Sequence, residues 1–337
     1  MTVKIGINGF GAIGRRVLRS AYDNEDVEFV GINDLIEPKK LAYMLKYDSN
    51  FGQLDAEVDH TDSSLIVDGK EIPVCQEEDP ADLPWDEVGA EVVLECTGLF
   101  RDAEDAKKHL EAGADKVIIS APADNEDVSI VMGVNDEDYD PENHHVISNA
   151  SCTTNALGPV AKVLQDEFGI EKGLMTTVHA YTSSQNILDG PYSWKKITRG
   201  RAAAENIVPT TTGAAKAITE VMPELKGKLD GMAMRVPTPT GSIVDLVVDL
   251  EEEVTEEDIH KAMREASEGE LEGVLGYAED PIVSRDVFGD PHSSIYDPHH
   301  TRVIEGNQVK ILSWYDNEWG YACRLVDMAV KMKELGL

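Results

Sequence analysis

The chain is poor in basic residues and contains no long apolar run. Lysine and arginine number 30 against 64 aspartate and glutamate residues, so the formal charge is −34 over 337 residues. Nucleic acids and anionic membranes carry the same sign of charge, which disfavours both as partners. No apolar run approaches the ~20 residues that a membrane-spanning helix needs. We therefore expect no nucleic-acid partner and no membrane partner.

Cysteine is also scarce, and its spacing excludes two kinds of site. Cys75, Cys96, Cys152 and Cys323 are scattered and form no C-x-x-C pair. This spacing matches neither a disulfide framework nor a zinc site, and it is typical of a reducing compartment. The first residues already follow a strand pattern, without a charged-then-apolar leader. We expect a cytoplasmic protein that binds no metal.

The acidic excess itself has a physical consequence. A folded monomer of this mass exposes on the order of 14,000 Å², so it carries about one net negative charge per 400 Å². Repulsion at that density is strongest at low ionic strength, where the Debye length reaches about 30 Å. We expect a halophilic protein, and the alternative is a mesophilic protein that is merely acidic.

The N-terminal residues match a dinucleotide-binding pattern. The β-branched run Val3–Asn8 leads into the G-x-G-x-x-G turn of residues 9–14, and apolar residues at helical spacing follow. Glycines at these points permit a tight turn, close approach of a pyrophosphate and tight helix–strand packing. Asp34 lies 20 residues after Gly14, where an acidic residue binds ribose hydroxyls and repels a 2′-phosphate. The pattern predicts NAD rather than NADP, and the alternative is a glycine-rich turn without a ligand.

A single thiol stands among hydroxyl residues in the middle of the chain. Cys152 follows Ser151 and precedes apolar residues at helical spacing, which predicts a helix that starts near it. A helix N-terminus carries a partial positive charge that favours the thiolate, the nucleophilic form. A buried structural cysteine is the alternative, because free cysteine is among the most buried residue types. We expect Cys152 to be a nucleophile.

Several motifs in order along the chain resemble one enzyme family. Residues 150–155, Ala-Ser-Cys-Thr-Thr-Asn, match the signature of phosphorylating glyceraldehyde-3-phosphate dehydrogenases, and Met175–Thr182 match the strand with their catalytic histidine. Further matches are Pro209–Lys216, Arg235–Pro239 and Ser313–Tyr321. The resemblance covers nearly the whole chain. It implies a homotetramer that oxidises glyceraldehyde 3-phosphate with NAD and inorganic phosphate, in glycolysis or gluconeogenesis.

The resemblance also implies a reaction sequence. Cys152 would add to the aldehyde carbon to form a thiohemiacetal, whose C–H would deliver hydride to NAD, and phosphate would attack the resulting thioester. His179 is the implied base, since an imidazole suits proton transfer near neutral pH. By itself, a histidine at the end of an apolar strand is more often a core residue. Two alternatives remain, an erythrose-4-phosphate dehydrogenase and a non-catalytic NAD-binding interaction protein.

The other implied positions bind the cofactor and two phosphates. The cofactor positions are Phe10, Gly11, Ala12, Ile13, Asp34, Ser120, Asn317 and Tyr321. Inorganic phosphate would bind Ser151, Thr153, Thr212 and Gly213, and the substrate phosphate would bind Thr182 and Arg235. Ala12 and Glu78 depart from the family, which usually carries arginine at both places. Ala12 removes a cation beside the cofactor, and we expect it to alter subunit contacts; we expect Glu78 to make adenine binding weaker or salt-dependent.

The order of strand and helix patterns predicts an α/β chain with two domains. Alternation from Val3 to about Ser148 predicts a doubly wound parallel (Rossmann) sheet. From Cys152 onward the strand patterns lie closer together, which predicts an α+β catalytic domain with a mixed or antiparallel sheet. We expect a dinucleotide-binding domain over 1–151 and a catalytic domain over 152–317. The resemblance implies that a C-terminal helix, 318–337, completes the first domain.

Two local predictions concern polar clusters outside the motifs. Residues 255–258, Thr-Glu-Glu-Asp, predict a capping box at the start of a helix. The paired histidines 144–145 and 299–300 stand among proline, asparagine and aspartate, so we expect both pairs in surface loops.

Overall fold

Two large β-sheets organise the chain in this computed structural model, which describes residues 1–337. The residues divide between two units. Unit 1 comprises Met1–Met132, Asp136–Ser151 and Ala322–Leu337. Unit 2 comprises Gly133–Asn135 and Cys152–Tyr321. No helix of the chain combines the length and the apolar character needed to cross a membrane.

Unit 1 alternates strands with helices. Its helices are α1 Ala12–Ala21, α2 Pro38–Lys46, α3 Trp85–Val88, α4 Ala103–Ala106 and α5 Lys108–Glu111. Its strands are β1 Val3–Asn8, β2 Val27–Asn33, β3 Tyr47–Asp48, β4 Gly52–Gln53, β5 Val58–His60, β6 Ser64–Val67, β7 Lys70–Cys75, β8 Val92–Glu95, β9 Lys116–Ile119, β10 Val128–Ser129 and β11 Val146–Ser148.

The main sheet of unit 1 has nine strands in the order β10-β11-β9-β8-β1-β2-β7-β6-β5. All pairs from β10 to β7 are parallel, and β6 runs antiparallel to β5 and β7. The doubly wound parallel sheet is thereby confirmed, with an antiparallel edge. The strand order reverses at β1, between β2 and β8. Ligands of such sheets bind beyond the carboxyl ends of the strands at the reversal.

Continuous apolar runs form the centre of this sheet. Val3, Ile5 and Ile7 on β1 are fully buried, as are the apolar residues of β8. Parallel strands that are covered on both faces have this pattern, because neither face meets water. Polar residues follow where the strands end, with Asn8 and Asn33 in the last positions of β1 and β2.

Unit 2 contains longer strands that are closer together in sequence. Its strands are β12 Ile170–Ala180, β13 Val208–Thr211, β14 Leu229–Val236, β15 Ser242–Leu250, β16 Leu275–Tyr277, β17 Ser294–Ile304 and β18 Gln308–Tyr315. Its helices are α6 Cys152–Phe168, α7 Ala214–Val221 and α8 Glu256–Ser267, and α9 Trp319–Glu334 starts in this unit.

The sheet of unit 2 is mixed, as the strand spacing predicted. Its order is β13-β14-β12-β15-β18-β17-β16. The pairs β12–β14 and β16–β17 are parallel, and the other four are antiparallel. Residues of β15 alternate between buried and partly exposed, so one face of the sheet is covered and the other faces outward.

The local predictions have different outcomes. The capping box is confirmed: Thr255 Oγ1 accepts from Asp258 N–H at 3.2 Å, and the Asp258 carboxylate accepts from Thr255 N–H at 2.9 Å. His299 and His300 are exposed, but they lie in β17 and not in a loop. The pairing of β17 shifts register beside them, after the buried Asp297, so the strand bulges outward there.

Candidate active site

The three glycines of the N-terminal turn have three different roles in unit 1. Gly9 has φ +91°, and a Cβ there would lie 2.7 Å from Thr97 N. A Cβ on Gly14 would collide with the Gly9 carbonyl oxygen. A Cβ on Gly11 would meet nothing within 4 Å, although Gly11 directly precedes α1. Turn conformation requires Gly9, packing requires Gly14, and Gly11 leaves room for a group to approach the backbone.

Asp34 stands at the carboxyl end of β2, beside this turn. Its Oδ2 accepts from Phe10 N–H at 2.8 Å, and its Oδ1 accepts from Ile36 N–H at 3.0 Å. It borders a cavity of about 400 Å³, which we call the Asp34 cavity and which is also lined by Asn8, Asn33, Glu77, Glu78 and Thr97. The space above Gly11 and the carboxylate at the cavity fit the pyrophosphate and adenosine ribose of NAD. Glu78, one of the departures, adds a third carboxylate to that cavity, after Asp34 and Glu77.

Cys152 and His179 come together in unit 2. Cys152 is the first residue of α6, as predicted, and its Sγ lies 3.5 Å from Nε2 of His179 on β12. His179 is only 3% exposed. The pair is thus a thiol and an imidazole at proton-transfer distance, although 27 positions separate them in sequence.

The electrostatics of the thiol differ from the sequence-based expectation. Burial raises the pKa of Cys152, and the Arg235 cation and hydrogen bonds from Thr153 oppose that rise only in part. The helix terminus acts in the expected direction, since the backbone N–H groups of Cys152 and Thr153 lower the pKa, but desolvation outweighs them and the thiol form is favoured. Burial, and then the Arg235 charge, lower the pKa of His179 well below its ordinary value. His179 is neutral at pH 7 and can accept a proton from the thiol.

Two neighbours of His179 Nδ1 select opposite tautomers. The carbonyl oxygen of Ala180 lies 2.7 Å from Nδ1 and favours the ring with its proton there, which leaves Nε2 as the acceptor facing Cys152. Nη1 of Arg235 lies 2.6 Å from the same Nδ1 and can only donate, so it favours a proton on Nε2. Arg235 Nη1 also donates to the Ala180 carbonyl at 2.9 Å. The basicity of His179 therefore depends on where the Arg235 guanidinium lies.

A second guanidinium, which the sequence analysis missed, faces the same region. Arg199 Nε donates to Thr210 Oγ1 at 3.0 Å, and Nη1 lies 3.5 Å from Ser184 Oγ. Ser184 Oγ is in turn 2.8 Å from the hydroxyl of Thr182. The Arg199 charge also lowers the pKa of His179. The available signal was the basic run of residues 195–201, Lys-Lys-Ile-Thr-Arg-Gly-Arg, in so acidic a chain.

Hydroxyl groups of the predicted phosphate positions have different surroundings. Thr153 is buried, and its Oγ1 lies 3.0 Å from Tyr315 Oη, which also contacts Thr177 Oγ1 at 2.8 Å. Thr212 Oγ1 accepts from Ala214 N–H at 3.2 Å, at the start of α7. Gly213 is exposed, and a Cβ there would meet nothing within 4 Å. Ser151 directly precedes Cys152 in the chain and is partly buried.

Several buried polar atoms near Thr182 and Arg235 have no protein partner. Gln185 is 7% exposed, and neither its amide oxygen nor its amide nitrogen is hydrogen-bonded. Arg235 Nε and Thr238 Oγ1 are likewise unpaired. Most buried polar atoms in proteins are hydrogen-bonded, so such a group marks a place suited to a polar ligand. Gln185 carried no sequence signal, because isolated amides are common in turns, whereas Thr238 lies in the matched motif Arg235–Pro239 but was assigned no role there.

Asn317 is held in one orientation by two hydroxyls. Its Oδ1 accepts from Ser242 Oγ–H at 2.7 Å and from Thr240 Oγ1–H at 3.3 Å, which leaves its Nδ2 as a donor. Ser242 Oγ also accepts from Ala180 N–H at 3.0 Å, directly after His179. Ser242 thus couples the orientation of Asn317 to the strand that carries the imidazole.

The remaining cofactor positions are Ser120, Ala12, Ile13 and Tyr321. Ser120 follows β9 in unit 1, where its N–H donates to the Glu95 carbonyl at 3.0 Å and its hydroxyl contacts Cys96. Ala12 and Ile13 open α1. Tyr321 is 5% exposed and lies in the first turn of α9.

Alanine at Gly14 and at Gly11 should separate packing from ligand binding. Gly14→Ala forces a Cβ against the Gly9 carbonyl, so we expect the free energy of unfolding to fall by about 1–3 kcal/mol. Gly11→Ala should leave stability within about 0.5 kcal/mol and weaken NAD at least tenfold, because the Cβ occupies the approach to the backbone. Urea unfolding and calorimetric titration with NAD measure both. Unchanged NAD affinity in Gly11→Ala would contradict the assignment.

Removing the imidazole should slow the reaction of the thiol. Burial holds the pKa of Cys152 above its ordinary value, so at pH 7 its reactivity depends on the base at 3.5 Å. We expect His179→Asn to lower the iodoacetamide alkylation rate at least tenfold at pH 7, with recovery at high pH. The matched control is His260→Asn, since His260 bonds only to Tyr296 Oη, away from the thiol. An unchanged rate in His179→Asn would show that His179 does not act on the thiol.

Two stretches of the chain, one contributing to each sheet, match domains of known proteins. Residues 3–103 match the NAD binding domain of glyceraldehyde 3-phosphate dehydrogenase, and residues 151–317 match its C-terminal domain. The chain is 60% identical over 337 residues to the glyceraldehyde-3-phosphate dehydrogenase of Geobacillus stearothermophilus and 60% identical to that of Priestia megaterium. It is 58% identical to glyceraldehyde-3-phosphate dehydrogenase 1 of Bacillus subtilis. All three alignments cover 100% of both chains. The chain therefore belongs to the glyceraldehyde-3-phosphate dehydrogenase family.

Proposed function

We propose that this chain oxidises glyceraldehyde 3-phosphate to 1,3-bisphosphoglycerate with NAD and inorganic phosphate. The observation that carries the proposal is the Cys152–His179 pair at 3.5 Å, in the part of the chain that matches the family's C-terminal domain. A neutral imidazole beside a protonated thiol is the arrangement that a covalent aldehyde oxidation needs at its start. Glycolysis and gluconeogenesis both use this reaction.

The proposed chemistry proceeds through the sulfur of Cys152. Sγ adds to the aldehyde carbon while its proton passes through His179 Nε2 to the carbonyl oxygen, which forms a thiohemiacetal and leaves His179 neutral again. Loss of the hydroxyl proton to the base and of the carbon-bound hydrogen as hydride leaves a thioester. NAD, when bound, accepts that hydride. A phosphate oxygen then attacks the thioester carbon, the Cys152 thiolate leaves, and the acyl phosphate is released.

The residues of unit 1 suited to NAD are those at the turn and the Asp34 cavity. Phe10, Gly11, Ala12 and Ile13 present backbone at the start of α1, which suits a pyrophosphate. Asp34 would bind the ribose hydroxyls and repel a 2′-phosphate. Ser120, Asn317 and Tyr321 are the further cofactor positions of this proposal. Asn317 would present Nδ2, because its Oδ1 is occupied.

We propose two phosphate-binding positions in unit 2, one beside Arg235 and the other near Arg199. Thr182 and Arg235 are proposed for the substrate phosphate, and Gln185 adds an unpaired buried amide there. Ser151, Thr153, Thr212 and Gly213 are proposed for inorganic phosphate, with Arg199 as the nearby charge. Arginine suits both tasks, because its planar fork donates to two phosphate oxygens at once.

The domain boundaries belong to the same proposal. Residues 1–151, completed by the C-terminal helix 318–337, would form the dinucleotide-binding domain, and residues 152–317 the catalytic domain. Two ion pairs support the place of that helix in unit 1: Lys333 Nζ lies 2.5 Å from Glu91 Oε1, and Lys331 pairs with Asp136.

We further propose a cytoplasmic homotetramer. Large apolar side chains are exposed in unit 2, among them Leu174 at 67%, Ile187 at 83% and Trp194 at 86%. Exposed apolar residues of this size are typical of subunit interfaces, and the number four comes from the family resemblance. All four cysteines are free, which fits a reducing compartment.

The acidic surface supports a halophilic origin as a proposal. A charge of −34 over a surface of 15109 Å² leaves about one net negative charge per 440 Å². Acidic residues outnumber basic ones by 34, so that many carboxylates cannot each have a lysine or arginine of their own. High salt would screen their mutual repulsion.

The decisive assay is NAD reduction with glyceraldehyde 3-phosphate in molar KCl, with and without inorganic phosphate. We expect a steady rate that requires phosphate, because acyl transfer to phosphate regenerates the thiol. Cys152→Ser should abolish turnover while NAD still binds. A steady rate without phosphate would indicate thioester hydrolysis. Activity with erythrose 4-phosphate alone, or no activity with either aldehyde, would contradict the proposal.

Salt removal tests the halophilic proposal. Dialysis into dilute buffer lengthens the Debye length, so we expect irreversible loss of activity and of the circular dichroism signal. Dilute buffer with sucrose is the control, because sucrose favours the compact state without screening charge. Full retention of activity without salt would overturn the proposal, and equal protection by sucrose would exclude screening as the cause.

A further inference from the structure

A buried polar network that the proposed chemistry does not use lies in unit 1 next to the Asp34 cavity. Its members are Asn8, Asn33, Glu95 and His109, none more than 5% exposed, together with the indole N–H of Trp85. Glu95 and His109 are both fully inaccessible as side chains. We call this group the Glu95 network. A buried ionisable pair is costly, so its presence needs a reason.

The direction of every hydrogen bond in the network follows from one fixed donor. Trp85 Nε1 can only donate and lies 3.0 Å from His109 Nδ1, which must therefore accept. The neutral His109 ring then carries its proton on Nε2. That nitrogen lies 3.2 Å from Glu95 Oε2 and donates to it.

All the groups around the Glu95 carboxylate are donors. Oε2 accepts from Asn8 Nδ2 at 2.5 Å as well as from His109. Oε1 accepts from Thr97 N–H at 2.8 Å and from the Thr97 hydroxyl. Four donors and no acceptor satisfy an ionised carboxylate, whereas a protonated one would have no partner for its hydrogen.

From this carboxylate, hydrogen bonds extend into both walls of the Asp34 cavity. On one side Asn8 Oδ1 accepts from Asn33 Nδ2 at 2.7 Å, and Asn33 bonds to both the N–H and the carbonyl of Glu77 at 2.9 Å. On the other side Thr97 Oγ1 accepts from Leu99 N–H at 3.0 Å. Glu77, Thr97 and Leu99 all line the cavity. One side chain thus holds segments from the ends of β1, β2 and β8.

We propose that Glu95, oriented by His109, is a positioning residue that sets the shape of the cavity for the adenosine half of NAD. Apolar residues of equal volume would fill the same space without desolvating a charge. They would not orient the Asn8 and Asn33 amides, whose oxygen and nitrogen are interchangeable in shape. The inference rests on NAD binding by unit 1, and Glu95 has no part in the chemistry at Cys152.

Glu95→Gln tests the proposal directly. Glutamine keeps the volume of the glutamate side chain, but only one of its two terminal atoms can accept. Its NH₂ group would therefore face two of the four donors that now surround the carboxylate. We expect the Kd and the KM for NAD to rise at least tenfold, about 1.4 kcal/mol. The kcat at saturating NAD should stay within twofold, and so should the alkylation rate of Cys152. A purely structural defect would not divide KM from kcat in this way.

A second pair of variants acts from outside the cavity. His109→Leu removes the donor to Glu95 Oε2, and His109→Gln keeps an N–H in reach of it. We expect weaker NAD binding in His109→Leu and recovery of most of the affinity in His109→Gln. If Glu95→Gln does not fold, the two His109 variants test the proposal in its place.

Lys116→Met is the matched control for general destabilisation. Lys116 is 2% exposed in the same sheet, and its Nζ donates to the carbonyls of Pro141 and His144, away from the cavity. We expect it to lower the thermal unfolding midpoint without changing NAD affinity. Equal loss of NAD affinity in this variant would overturn the proposal.

NAD affinity is measured by calorimetric titration of the full chain without an aldehyde. Wild-type affinity in folded Glu95→Gln, or in both His109 variants, would also overturn the proposal. The measurement is independent of the proposed reaction. A wild-type protein that binds NAD but does not oxidise glyceraldehyde 3-phosphate would contradict the proposed function and leave this inference intact.

Discussion

His179 and Arg235 lie side by side because β12 and β14 pair in parallel in a single register, which makes the two residues direct partners. The other edge of β12 pairs antiparallel with β15, so its position is held from both sides. A slip by one residue would turn the imidazole to the opposite face of the sheet. The contact with Cys152, the tautomer of the ring and the placement of the guanidinium all depend on this register.

Burial dominates the electrostatics of the site. The thiol and the imidazole are both shifted toward their neutral forms, although a helix terminus and a cation stand nearby. At the thiol, the Arg235 charge offsets desolvation only in part, whereas at the imidazole the charges of Arg235 and Arg199 act in the same direction as desolvation. Neutral Cys152 and His179 suit a site that receives an anionic substrate. With the thiol protonated, the positive charge of Arg235 is not already neutralised by a thiolate.

Orientation of amides is a second theme shared by the two units. Asn317 is turned by the hydroxyls of Ser242 and Thr240, and Asn8 is turned by the carboxylate of Glu95. An amide has nearly the same shape after a half-turn, so only hydrogen-bond partners can select its orientation. In both places the role of the selecting group is fixed: Ser242 accepts from Ala180 N–H and so donates to Asn317, and the Glu95 carboxylate can only accept from Asn8.

The sequence by itself determined the family, the two sheet types, the glycine turn with Asp34 and the helix that starts at Cys152. These features are local in sequence, because turns, caps and hydrophobic periods involve residues within about 20 positions. Only the tertiary structure decided the direction of the Cys152 pKa and the contact of Arg235 with His179. It also placed Arg199 near the site and assembled the network around Glu95. Burial and strand register arise from contacts between distant segments, so no local pattern carries them.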